Sequence, residues 1–362
     1  MNSTEVHTLP LDLSPRLQEL RERWVALNEE EPKLRIRNAA ERLKASEMEL
    51  LATGAFNEVI PLREEFQEIL KELTSLGEVM ALTRNDQAVH EVHGVYDNIS
   101  FEGQIGLVHT KTIDLRLFLF GWSYVYAVAA PFRDGLRRSL QFFNAQGEAV
   151  HKVYLTKKSN EEAYHRLVEK YRRLTPKVID LKEYTPSEET PDKEIDVEGF
   201  QASWRALEDT HDFFPMLREY GVTRTQALRL APPEMVEQYS PESAVALLEL
   251  MSAREIPIMI FAGNRGCLQI YTGPIKKLVR TGDWFNVLDP GFNLHLRDGE
   301  IHAAYLVRKP TVDGIVTALE LYNEANENIA LLFGERKPGI AEDPRWRDCL
   351  TEVVGQRSEV GL

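Results

Sequence analysis

The chain repeats itself in constant register. Near residue 90 it reads TRNDQAVHEVHG and later AGNRGCLQIYTG, and pairing Gly94 with Gly273 sets an offset of 179 (273 − 94). The same offset pairs Asn85 with Asn264, Leu115 and Leu117 with Leu294 and Leu296, Asn144 with Asn323, and Tyr154 with Phe333. Kept without a gap from Asn85 to Tyr154, it means two copies of one structural unit.

Each copy opens with helical sequence. Residues 15–54 place Leu17, Leu20, Trp24 and Leu27, then Ala39 and Leu43, at helical spacing, with Gly54 as a stop; residues 61–76 continue in that style. Residues 198–252 are the counterpart, with Trp204 placed much as Trp24 is. Strand-like segments follow: VMALT, AVHEV, DLRLFLF, SLQFF and AVHKVYL in the first copy, IPIMIFA, CLQIY, WFNVL, NLHLR, AAYLV and TALELY in the second. Turn signals such as Arg84-Asn85-Asp86, Gln146-Gly147 and Asp298-Gly299 separate them. The expected class is α+β, two homologous repeats each running from a helical segment into a large antiparallel sheet. The expected domains are residues 1–181 and 200–354. The Pro- and Glu-rich stretch 182–199 reads as an exposed linker, and the tail beyond Val354 as frayed.

Composition narrows the functions. A length of 362 residues suggests two domains, and 43% hydrophobic with 28% charged residues is ordinary for a globular protein. No apolar run approaches the roughly 20 residues of a membrane span. The start MNSTEVHTLPLDL lacks the basic and apolar regions of a signal peptide. Cys267 and Cys349 alone make neither a disulfide framework nor a thiolate zinc site, so a cytoplasmic location is expected. The net charge of −14 disfavours nucleic acid and anionic lipid, and makes any buried cation more informative.

His211, in WRALEDTHDFFPMLREYGVTR, is the first candidate. If Asp212 caps the following helix, Pro215 falls harmlessly in its first turn; if Asp209 caps it, Pro215 kinks the chain at His211. A surface or hydrogen-bonded histidine explains this spacing as well as a ligand does. On a strand, Arg116 and Phe118 share one face while Leu115, Leu117 and Leu119 take the other, and His295 matches Arg116 in the second copy. The pairs in Arg308-Lys309-Pro310 and Arg336-Lys337-Pro338 read as loop charges following strands. His90, His93 and His151 show no metal-ligand spacing, and GNRG at 263–266 is too short for a phosphate loop. LREYGVTRTQALRL and RNAAERLKASEMELL each look like a helix-turn-helix, but the acidic chain lacks the basic patch of a DNA binder.

Taken together, LTRNDQAVHE, DLRLFLFGW, SLQFFNAQGEAVHKVYL, WRALEDTHDFF, GNRGCLQIYTG, WFNVLDPGFNLHL, VRKPTVDG and FGERKPG resemble the bacterial hemin-degrading factors, cytoplasmic proteins of haem-uptake systems. The resemblance runs from about residue 15 to 350, broken by the linker. It implies one b-type haem per chain, held in a cleft between the halves. It puts the axial iron ligand on His211, the distal arginine on Arg116 with Phe118 beside it, and the propionate partners on Arg224, Lys309 and Arg336. Phe333 joins the cofactor-binding set. The first copy has Glu31 near the place of His211, so one half alone can ligate iron in this way. Leu331 and Phe333 replace the family's frequent Gln and Tyr. Thr210 and Asp212 beside His211 leave no second histidine to switch to. Members of this family act as haem carriers, handing haem to an oxygenase or taking it from a transporter, and as haem-degrading enzymes in which Arg116 would be catalytic. Both readings stay open, with the carrier favoured.

Overall fold

The computed structural model describes residues 14–133, 135–175, 178–185, 188–336 and 339–355. The N-terminal stretch, Lys337-Pro338 and the last residues of the tail lie outside that set. The chain forms two compact units: residues 1–84, 91–184 and 264–268 make the first, and residues 85–90, 185–263 and 269–362 the second. Each sequence half thus lends one short segment to the other unit.

The first half runs α1 (Pro15–Glu30), α2 (Ile36–Leu43), α3 (Glu47–Ala52), β1 (Glu58–Pro61), α4 (Phe66–Glu72), β2 (Gly77–Arg84), β3 (Ala88–Gly94), β4 (Ile99–Glu102), β5 (Ile105–His109), β6 (Asp114–Phe118), β7 (Tyr124–Phe132), β8 (Gly135–Phe143), β9 (Ala149–Ser159) and α5 (Glu161–Tyr171). The second runs α6 (Val197–Arg205), α7 (Phe213–Glu219), α8 (Arg224–Leu230), β10 (Val236–Tyr239), α9 (Ser243–Ala253), β11 (Ile258–Gly263), β12 (Cys267–Gly273), β13 (Leu278–Thr281), β14 (Trp284–Asp289), β15 (Phe292–Leu296), β16 (Ala303–Thr311), β17 (Gly314–Tyr322), β18 (Asn328–Gly334) and α10 (Pro344–Gly355). Among the described residues no helix is long and apolar enough to cross a membrane.

Inside the first unit β1-β7-β8-β9-β2 form an antiparallel run, and β4-β5-β6 a second. Inside the second, β10-β16-β17-β18-β11 and β13-β14-β15 repeat both. The duplication holds residue by residue. Tyr154 stands opposite Met80 and Ser139, and Phe333 opposite Met259 and Ala318, each 179 positions on. The register shifts between Phe142 and Phe143 and again between Leu321 and Tyr322, so even the bulge is duplicated.

The expected order of helices then strands is incomplete. β1 and β10 interrupt the helical segments, and α5 and α10 close each copy. The long helical stretch 15–54 is three helices: α1 ends at Glu30, just before Pro32, and α2 ends where Lys44 takes a left-handed conformation and Ser46 restarts the chain with a capping box to Glu49. Arg308, Lys309 and Pro310 lie within β16, not in a loop after it.

Asn85 and Asn264 do the same work in the two units. In the second unit, Asn85 Nδ2 donates to the carbonyls of Gly263 (3.0 Å) and Ile329 (2.8 Å), and its Oδ1 accepts from the N–H of Gln87 (3.0 Å) and Ala88 (2.7 Å). In the first, Asn264 Nδ2 donates to Arg84 and Val150 (both 2.8 Å) and accepts from Gly266 (3.0 Å) and Cys267 (3.1 Å). The side chain stitches a turn to two strands.

The cores have diverged elsewhere. In the first unit the buried His151 ring meets the Thr83 hydroxyl at 2.8 Å and the Tyr96 hydroxyl at 2.5 Å, with Cys267 Sγ at 3.3 Å from Thr83. The equivalent positions in the second unit are Ala330, Ala262, Ile275 and Ala88, all buried and apolar.

Candidate functional site

Five of the seven candidate residues lie in the second unit, where α6, α7 and α8 cover one face of β16 and β17. Trp204 of α6 is fully buried and donates its indole N–H to the Arg308 carbonyl at 2.9 Å, which fixes the helical layer on β16. Phe213 packs edge-on against Trp204, with ring centroids 4.7 Å apart. Along β16 and β17, Lys309, Ala318, Glu320 and Tyr322 alternate onto this face, and Leu331 and Phe333 of β18 pair with Glu320 and Ala318.

His211 sits in a single 3-10 turn, Thr210–Asp212, directly before α7. Asp209 caps that turn by accepting from the His211 N–H at 2.9 Å, and also takes the His211 Nδ1 at 2.7 Å. The two hydrogen bonds, backbone first, hold the Asp209 carboxyl below its usual range. An ionised Asp209 must receive a proton from Nδ1, so in the neutral ring the lone pair is on Nε2. The His211 side chain is 87% exposed and Phe214, three residues on, is 62% exposed, so an imidazole nitrogen and an apolar ring both reach solvent. Both readings of the cap hold in part: Asp209 caps the turn, Asp212 precedes α7, and Pro215 falls in the first turn of α7, where no helical partner is lost. The Glu208 carbonyl accepts from the Val312 N–H at 2.9 Å, tying this turn to the β16–β17 hairpin.

Lys309 is buried and Arg224 half-buried beside Phe213. The Arg224 guanidinium lies 4.3 Å from the Phe213 ring centroid and the Lys309 ammonium 4.5 Å, so both cations use the same aromatic ring. They share one fully buried carboxylate, Glu320, which takes Arg224 through Nε (3.0 Å) and Nη2, the Tyr322 hydroxyl at 2.8 Å and Lys309 at 3.6 Å. Burial alone would raise the Glu320 carboxyl; Arg224 and Lys309 outweigh it and hold it low. Arg224 Nη1 is buried and, among the described residues, has no hydrogen-bond partner. Arg336 lies 3.9 Å from Asp313 and helps to hold Asp209 ionised, so it stands on the His211 side of the site. Phe333 packs on Phe261, centroids 4.8 Å apart.

Arg116 and Phe118 belong to the first unit, on β6. They are half-buried while Leu115 and Leu117 are fully buried, as strand alternation requires. Arg116 is ion-paired with Asp114, which also has His109 at 3.3 Å, and Phe118 packs on the exposed Phe120 with centroids 6.0 Å apart.

Sequence reasoning missed Glu320, Tyr322 and Asp313, and saw Asp209 only as a cap. Asp209, two residues before His211, was within reach of a local reading. A single acid inside the apolar strand TALELY was the one signal for Glu320. The helix-turn-helix reading fails on burial. All of α3 is buried, Arg224 of α8 is committed to Glu320, and Arg229 is paired with Glu189 and Asp192, so neither second helix offers free basic residues to a groove. Each second helix opens with a capping box, Ser46 with Glu49 and Thr223 with Gln226.

The donor set suits a flat apolar ligand with a metal to coordinate and a carboxylate to place: an outward imidazole nitrogen, an exposed phenylalanine, and a buried guanidinium nitrogen without an acceptor among the described residues. The sequence model of the haemin-degrading HemS.ChuX domain matches residues 44–171 and 221–353, once in each half. His211 lies between the matched segments; the other six candidate residues lie inside them. The hemin transport protein HemS of Yersinia enterocolitica is 36% identical over 333 residues, covering 92% of this chain and 96% of that protein. The crystal structure of holo-PhuS, a heme-binding protein from Pseudomonas aeruginosa, is 44% identical with a TM-score of 0.88, over 92% of this chain and 98% of that one. ChuS, described as an E. coli heme oxygenase, superposes with a TM-score of 0.82 at 33% identity, over 92% of this chain and 99% of that one.

Proposed function

This chain belongs to the haemin-degrading HemS/ChuX domain family, and from that premise we propose that it is a cytoplasmic haem carrier that binds one b-type haem through His211. The observation that carries the reading is the His211–Asp209 pair. Asp209 fixes the tautomer and orientation of the ring, as the outer partner of a metal-bound histidine does, and leaves Nε2 outward for iron. Haem supplies an iron seeking an axial imidazole, an apolar face and two propionates. Phe214 offers the apolar contact, while Arg224 and Lys309, with Arg336, offer cations for the carboxylates. Haem would be received from a transporter and passed to an oxygenase.

A second reading, haem opening by oxygen and a reductant, is favoured by the similarity to ChuS. One experiment addresses both. Haem is added to the protein without air, then reductant and oxygen with catalase present. A carrier keeps its Soret band; an enzyme yields ring-opened pigment and free iron, and Arg116→Ala then slows that reaction more than it weakens haem binding. His211→Ala is expected to shift the Soret band and weaken haem binding. An unchanged spectrum and affinity would remove His211 as the ligand.

A further inference from the structure

Resting on the haem reading, the cluster behind Phe213 carries one more assignment. Lys309 on β16, Arg224 at the start of α8 and Glu320 on β17 are two cations and one anion, a formal excess of one positive charge. Arg224 Nη1 adds a buried donor without an acceptor among the described residues. Buried charge is tolerated when paired, and a buried donor when bonded. One further carboxylate, arriving at Nη1, would correct both shortfalls together.

We propose that Glu320 is the resident counter-ion of this cluster, a positioning residue that keeps Arg224 and Lys309 assembled and charged so that one incoming carboxylate completes the set. Glu320 suits the role because its 0% exposure removes it from competition by water and because Tyr322 and Arg224 fix both of its oxygens. The groups that face Lys309 are Arg224 from α8 and Glu320 from β17, while α7 contributes the Phe213 ring. Burial, then Arg224, pushes the Lys309 ammonium down to about 8, and Glu320 works against both. Tyr322 is pushed far above its ordinary range by burial and by Glu320, so it stays a neutral donor. A bound carboxylate raises Lys309 again. Binding therefore takes up a proton once the pH passes about 8.

The test compares haem with haem dimethyl ester across roughly pH 6.5 to 10, reading the ratio of their affinities. Both carry the same iron, so whatever happens at the iron cancels in the ratio. In the wild type the ratio should hold to about pH 8 and then fall about tenfold per pH unit. Glu320→Gln keeps the hydrogen-bonding shape without the charge, and should move the break at least about one unit lower. Lys309→Met should abolish it. A wild-type ratio that favours haem yet shows no break, or a break that Glu320→Gln leaves in place, overturns the proposal. If Glu320→Gln does not fold, the wild type and Lys309→Met decide: a break in the first alone supports it, and a break in both overturns it. Failure of the underlying reading looks different, as no haem binding at all or equal affinity for haem and its ester at every pH.

Discussion

Replacing Asn264 by alanine should unlock the first unit. The side chain makes four hydrogen bonds, donating to Arg84 and Val150 at 2.8 Å and accepting from Gly266 and Cys267 at 3.0 and 3.1 Å. At about 1 kcal/mol net for each bond, the loss is roughly 4 kcal/mol. For a unit of this size each kcal/mol moves the melting temperature by about 2–4 °C, so a fall of ~10 °C is expected. Asn85→Ala removes the corresponding four bonds in the second unit and should cost the same to within about 1 kcal/mol. Asn264→Asp turns both donors into acceptors facing two carbonyls and should be at least as harmful. The assay is urea unfolding followed by tryptophan fluorescence. Trp122 reports on the first unit directly, because its indole donates to the Gly266 carbonyl beside Asn264 at 2.8 Å. A loss below about 1 kcal/mol in both alanine variants would refute the argument. So would a large loss in one variant only.

Asp209→Ala frees the His211 ring and should weaken haem binding about 10- to 100-fold while leaving urea stability nearly unchanged, since both side chains are exposed. Acid should destabilise the protein early. Burial holds His90 and His151 down to about 3, so below about pH 6.5 the unfolded chain takes up protons that the folded chain refuses. Stability is full above that pH and falls as pH drops toward 3, by roughly 2 kcal/mol per histidine at pH 5. His90→Gln should flatten the slope of urea stability against pH, and fold normally, because Gln269 occupies the equivalent position in the repeat; an unchanged slope would show that His90 does not set it.

The constant offset carried most of the fold, because a duplicated chain keeps its register wherever pairing buries a face. It placed Asn85 with Asn264 and Tyr154 with Phe333, and the ladders repeat at those residues. The sequence does not announce β7, because YVYAVAAPF is apolar on both faces and shows no alternation. α5 shows helical spacing at Ala163, Tyr164, Leu167, Val168 and Tyr171, but it follows the strands, where a helices-then-strands order leaves no place for it. At the site, local features could be read: Arg116 and Phe118 share a strand face as alternation demands. Contacts across the chain could not. Glu320 reaches Arg224 over 96 positions, and nothing in the spacing of either strand or helix announces that meeting.

The exchange of short segments between the units has a consequence for synthesis. Residues 264–268 complete the first unit, yet residues 185–263, which leave the ribosome before them, belong to the second. The N-terminal half therefore waits, one piece short, while most of the helices of its twin are already made. Cutting the gene at residue 184 would release two unfinished proteins, each missing a segment that its sibling carries away.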